Sequence, residues 1–233
     1  MFRQLVQGLS AAAPAQCEAC RAWPAQPLCG PCLERFAEPR PRCRLCALAL
    51  PVGVERCGRC AGQPPVLDAC HAAVSYGYPW AGLIGQFKFA GQPGWADCFA
   101  RLLLSRGAVR DCLDSADRVV PMPLARERLA ARGFNQAHEL ARRLAPGRAD
   151  ATLALRLRDT PAQARLDREA RLANLRHAFA LEPARAHEAR GRRIVLVDDV
   201  MTSGASLFAL AGVFRAAGAS QVSAVVLART EEV

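Results

Sequence analysis

Residues Val195 to Ser206 read Val-Leu-Val-Asp-Asp-Val-Met-Thr-Ser-Gly-Ala-Ser, an apolar run ending in two adjacent acids and a loop of hydroxyls and glycine. A helical pattern follows, with Leu207, Leu210, Ala211 and Phe214 on one side. A strand–loop–helix unit of this kind presents backbone N–H groups and hydroxyls at a helix N-terminus, which suits a phosphate. Asp198 and Asp199 stand one loop away, where carboxylates can hold sugar hydroxyls. The plainer alternative is an ordinary parallel strand whose acids cap a turn. The Thr-Ser-Gly-Ala-Ser loop joined to the acid pair argues against it.

A second chemistry belongs to cysteine. Eight of the eleven form four Cys-x-x-Cys pairs, Cys17/Cys20, Cys29/Cys32, Cys43/Cys46 and Cys57/Cys60, separated by gaps of eight, ten and ten residues. Two residues between cysteines let both sulfurs meet one tetrahedral ion, and two pairs complete a closed shell with no open position. Segment 13–65 is rich in Pro and poor in long apolar runs, so metal binding would double as folding energy there. Two structural zinc ions are expected, most simply in sequential pairing; a cross-braced pairing fits the spacing equally. A disulfide framework and an iron–sulfur site are the competing readings. Cys70, Cys98 and Cys112 lie in apolar surroundings and read as buried bystanders.

The elements that must position these groups follow from pattern. Phe2, Leu5, Val6 and Leu9 suggest a short amphipathic helix over 1–12 rather than a secretion signal. No run approaches the ~20 apolar residues of a membrane span, and a reducing cytoplasm is the expected location. After Pro64-Pro65, strand patterns at 72–78, 118–121, 152–157, 192–198 and 221–228 alternate with helical patterns at 80–90, 94–106, 135–144 and 204–217. Such alternation predicts an α/β domain over 66–233, a mostly parallel sheet with helices on both faces. Ligands of such sheets gather beyond the carboxyl ends of the strands, where Pro121-Met122-Pro123 and Asp198-Asp199 both fall. The formal charge is +10, but each zinc held by four thiolates carries a net −2, so two such sites lower it to +6. That balance is compatible with phosphate-rich ligands and decides little.

Three further segments carry candidate groups. Pro121 to Leu124 form a rigid turn, followed by Arg126, Arg128 and Arg132, whose guanidinium forks match pyrophosphate oxygens; the alternative is a solvated, Arg-rich helix. Arg132-Gly133-Phe134-Asn135-Gln136 implies a turn that opens the next helix. Residues 156–176 hold six Arg with Arg158, Gln163, Arg168, Arg171 and Asn174 among their polar positions, either a hood that orders over an anion or a plain exposed loop. Lys88 is the only Lys beside thirty Arg, a point charge in a chain that otherwise uses forks.

The 195–206 stretch resembles the binding signature for phosphoribosyl pyrophosphate (PRPP) of the type I phosphoribosyltransferases, with Ser203 and Ser206 at positions usually held by Thr. The Cys-x-x-Cys pairs, Phe87-Lys88-Phe89, Val120 to Leu124, Arg132 to Gln136, Gln163 to Asn174 with Ala178-Phe179, and Val197 to Ser206 together resemble the ComF family of competence proteins, including the GntX-type proteins. The resemblance implies a Cys-rich zinc module before a phosphoribosyltransferase-like domain, and a role in DNA uptake or natural transformation. It also implies residue roles: Thr202, Ser203, Gly204, Ala205 and Ser206 on the 5-phosphate, Asp198 and Asp199 on the ribose hydroxyls and the developing cation, and Lys88, Pro121 to Leu124 and Arg126 on the pyrophosphate with Mg²⁺. The 158–174 hood would exclude water. No residue names an acceptor, so three readings stand: a phosphoribosyl transferase, a PRPP-binding protein without chemistry, and a single-stranded DNA-binding factor working with DNA-uptake or helicase proteins.

Overall fold

The computed structural model describes residues 16–23, 26–157 and 178–231. The expected helix at 1–12 and the whole 158–174 hood lie outside them. Two compact units divide the chain, Met1–Glu38 and Pro39–Val233. The 13–65 segment read as one double-zinc module spans that division, so each Cys₄ set falls in a different unit.

The two sets are one local motif used twice. In the smaller unit Cys17 starts a tight turn in which Arg21 N–H donates to Cys17 O (2.8 Å) and Cys17 N–H to Ala22 O (3.0 Å). Helix α1 (Gly30–Phe36) then opens on Cys29. In the larger unit Ala47 N–H donates to Cys43 O (2.8 Å) and Cys43 N–H to Leu48 O (2.7 Å), and α2 (Gly58–Gly62) opens on Cys57. Arg21 and Ala47 have φ of 61° and 57°, the only non-glycine positive values among the described residues. Non-glycine residues pay for that conformation, and here the bend aims two sulfurs at one point.

The larger unit continues β1 (Ala69–Ser75), α3 (Trp80–Phe89), α4 (Trp95–Leu104), α5 (Gly107–Asp114), β2 (Arg118–Pro121), α6 (Arg126–Arg132), α7 (Gln136–Leu144), β3 (Ala154–Arg156), β4 (Phe179–Leu181), β5 (Arg193–Met201), α8 (Ala205–Ala216) and β6 (Gln221–Arg229). Strands β1-β6-β5-β2 pair in that order, all parallel. Buried on both faces, β5 and β6 read as continuous apolar runs rather than alternating ones. Helix α8 packs on β5 and β6 through Leu207, Leu210, Ala211 and Phe214, while α7 packs on β2 and β5. The Arg126–Arg132 segment is a helix. The second Cys₄ set belongs to the main core: Cys43, Cys46, Cys57 and Cys60 are buried with Cys70, Leu196, Met201 and Phe214.

Strands β3 and β4 form a separate antiparallel pair, closed by Leu157 N–H to Ala178 O (2.9 Å). Beyond β2, Asn135 fixes the next turn. Its Oδ1 caps α7 by accepting from Ala137 N (2.9 Å) and His138 N (3.4 Å), and its Nδ2 donates to Met122 O (3.0 Å). One side chain thus ties the Arg-Gly-Phe-Asn-Gln string to the Pro-Met-Pro turn. Asn135→Ala should lower stability by about 2 kcal/mol, combining a lost cap and a lost bond to a carbonyl. Asn135→Asp, which keeps the cap but not the donor, should lose roughly half of that. Urea midpoints of the metal-loaded variants measure both.

Candidate functional site

Strand β5 carries its acid pair, Asp198 and Asp199, to the carboxyl edge of the sheet. Asp199 is only 6% exposed, and its carboxylate meets Lys88 Nζ at 2.8 Å. Asp198 is partly buried and accepts from Asp199 N–H at 2.9 Å. Burial, with the Asp199 carboxylate adding to it, pushes the Asp198 carboxyl up to about 7, although Lys88 and Arg156 pull it back.

Lys88 is held by two strings that lie far apart in sequence. The Phe87 ring packs on Phe134 (centroids 5.7 Å) and Phe99 (5.5 Å). Arg132 stacks over Phe89 at 5.0 Å and donates to Gln136 Oε1 (3.1 Å). Gln136, 2% exposed, reaches the Lys88 carbonyl through Nε2 at 3.5 Å. Gly133, with φ 77°, ends α6 so that Phe134 and Asn135 can turn back.

The loop after β5 leaves Thr202 and Ser203 exposed, with Ala205 and Ser206 half-buried at the start of α8. Gly204 at the N-cap offers no side-chain cap, and Ser203 Oγ accepts from the first N–H of that helix, Ala205 N, at 3.4 Å. Gly204 has φ 82°, and a Cβ there would lie 2.3 Å from Met201 Cε and 2.7 Å from the Phe208 ring. A side chain would be strained by that φ and would force the ends of Met201 and Phe208 to shift. Pro121 pairs with Val197, and Met122 N–H donates to Val197 O (2.8 Å), which sets the Pro121–Leu124 turn beside the acid pair. Arg126 opens α6, exposed, and no described contact joins it to the acids. Arg158, Gln163, Arg168, Arg171 and Asn174 lie outside the described residues.

The eight paired cysteines form two sequential groups, Cys17/Cys20/Cys29/Cys32 and Cys43/Cys46/Cys57/Cys60, each with its sulfurs within 4.8 Å of one another. A tetrahedron with metal–sulfur bonds of about 2.3 Å has edges of roughly 3.8 Å. Cys20 and Cys29 stand 3.7 Å apart and Cys46 and Cys57 3.6 Å, which fits that ion and excludes a disulfide. Burial opposes ionisation of Cys17 and Cys43, yet backbone N–H groups draw them down to about 6 and about 7. Burial, reinforced by neighbouring thiols, pushes Cys32 up to about 12 and Cys46 up to about 11. One thiolate forms readily and its neighbours resist, a conflict that a divalent cation relieves.

The chain is similar in sequence to known proteins. A model of the phosphoribosyl transferase domain matches residues 129–232. DNA utilization protein YhgH of Escherichia coli K12 is 32% identical over 209 residues, covering 87% of this chain and 90% of that protein. Competence protein F of Haemophilus influenzae is 33% identical over 211 residues, with the same coverage. The chain belongs to the ComF family of competence proteins. In this ComF-family protein two site features escaped the sequence. One is the contact of Lys88 with Asp199, for which its being the only lysine was the available signal. Arg156, whose charge acts on Asp198, had none among so many arginines. No helix among the described residues is long and apolar enough to cross a membrane. Chelation should release up to two zinc ions per chain, and Cys60→Ser should lower the melting temperature of the larger unit by several degrees. Calorimetry with counted zinc checks both.

Proposed function

We propose that this ComF-family protein binds PRPP at the carboxyl edge of β2 and β5 and acts in DNA uptake, with Mg²⁺ accompanying PRPP. The observation that carries the reading is the convergence of three parts on one edge: an acid pair of which Asp199 is buried, a helix N-terminus shaped around Gly204, and the Pro121–Leu124 turn. In this reading the N–H groups and hydroxyls of 202–206 hold the 5-phosphate. Asp198 and Asp199 hold the ribose hydroxyls and favour the positive charge that develops on the sugar as its bond to pyrophosphate breaks. Mg²⁺, when bound with PRPP, neutralises the leaving pyrophosphate. Lys88 is released from Asp199 as the ribose arrives and turns to pyrophosphate, which the Pro-Met-Pro backbone and Arg126 also receive. The chemistry is transfer of the phosphoribosyl group to a nitrogen nucleophile.

The relatives named for competence and DNA utilization support the DNA-uptake role. They also favour a second reading, direct contact with single-stranded DNA, whose mark would be a steep fall of oligonucleotide affinity with salt.

Both acids must be ionised to accept from sugar hydroxyls, so PRPP affinity should rise about tenfold per pH unit up to pH 7 and then level off. Stability of the ligand-free chain should move the opposite way. A carboxyl whose folded value lies above its unfolded value stabilises below the unfolded value, and that contribution is lost as pH rises through about 7. Asp198→Asn should flatten the affinity profile and weaken binding by at least tenfold. Equilibrium dialysis of PRPP between pH 5.5 and 8 measures both effects, and an unchanged variant would remove Asp198 from the site.

A further inference from the structure

Arg229, the last residue of β6, is 2% exposed, and among the described residues it makes no ion pair with a carboxylate. A buried guanidinium without a counter-charge is costly. Its nitrogens go to oxygens of two functional regions. Nε donates to Cys46 O at 2.9 Å, inside the second Cys₄ group. Nη1 donates to Met201 O at 3.3 Å, to Thr230 Oγ1 at 3.1 Å and to Thr230 O.

Met201 is the residue directly before the 202–206 loop. Its carbonyl also accepts from Thr230 N–H (3.1 Å), its sulfur lies 3.6 Å from Cys70 Sγ, and its Cε sits against Gly204. The loop therefore starts from a residue fixed at both its carbonyl and its side-chain end. One of those fixings is Arg229, whose other arm holds the cysteine turn.

We propose that Arg229 is the resident counter-charge of the second Cys₄ metal centre, and a positioning residue that couples occupancy of that centre to the order of the 202–206 loop. Four thiolates around one divalent ion carry a net −2, and the four cysteines of this group are buried, as Arg229 is. The negative centre stabilises the guanidinium, and the guanidinium fork spans from Cys46 O to Met201 O. Without metal the cysteine turn loses its centre, Arg229 loses its counter-charge, and the carbonyl before the loop loses a donor. The functional meaning of the coupling rests on reading 202–206 as a phosphate loop.

The test follows amide hydrogen exchange by mass spectrometry while chelator is titrated into the intact, zinc-loaded protein, with released zinc counted in parallel. Exchange at 202–207 should rise about tenfold in step with exchange at 43–60, while β2 stays protected. Arg229→Met should surrender zinc from the 43–60 group at lower chelator than the wild type. Arg229→Lys keeps the charge but not the fork, so it should hold two zinc ions and still exchange about fivefold faster at 202–207. A loop unchanged after 43–60 has lost its metal overturns the proposal, as does a loop that opens only together with β2. If Arg229→Met does not fold, the wild-type titration and Arg229→Lys decide. PRPP affinity is not a readout here: coupled exchange in a chain that binds no PRPP would contradict the phosphate-loop reading and leave the coupling standing.

Discussion

Two carboxylates side by side at the end of a buried strand repel one another, and the site depends on how that repulsion is balanced. The ion pair between Lys88 and Asp199 supplies the balance. Lysine suits the task because its charge is compact and its stem mobile, so it can leave when other cationic or donor groups arrive. Much of the surrounding architecture serves its placement. Phe87 and Phe134 set the last turn of α3, Gln136 reaches the backbone of Lys88, and Asn135 connects that corner to Met122, just beyond β2. Burial, with the Asp199 carboxylate adding to it, pushes the Asp198 carboxyl up to about 7, and Lys88 compensates it only in part.

Metal sites impose the second constraint, and one repeated turn answers it in two settings. In the smaller unit the turn and α1 bring together four cysteines in a segment with little apolar material of its own. In the larger unit the same turn is absorbed into the core of the sheet domain, next to Cys70 and Met201. Zinc there is expected to stabilise the domain that carries the acid pair as well as the turn itself.

Much of this was legible in the residues. The Cys-x-x-Cys spacing identified the ligands, and the apolar run ending in Asp-Asp with a hydroxyl loop placed β5, the loop and α8 within a few residues. Local rules suffice for such units because strand, turn and helix cap are decided over a dozen residues. Pairing across long separations was not legible: the β1-β6-β5-β2 order, the contact of Lys88 with Asp199, and the burial of Arg229 depend on tertiary packing that no local pattern encodes. Composition changes after Pro65, whereas the compact units divide at Glu38, because the second cysteine turn buries its apolar neighbours Leu45 and Ala47 in the sheet domain.

Calorimetric titration of the zinc-loaded protein with PRPP, in the presence and absence of Mg²⁺, tests the central claim most directly. The arrangement of acid pair, loop and turn predicts saturable binding with a dissociation constant of roughly micromolar order, tightened by Mg²⁺. Absence of heat at millimolar PRPP, with the protein folded and two zinc ions bound, would contradict it and leave the signature as scaffold.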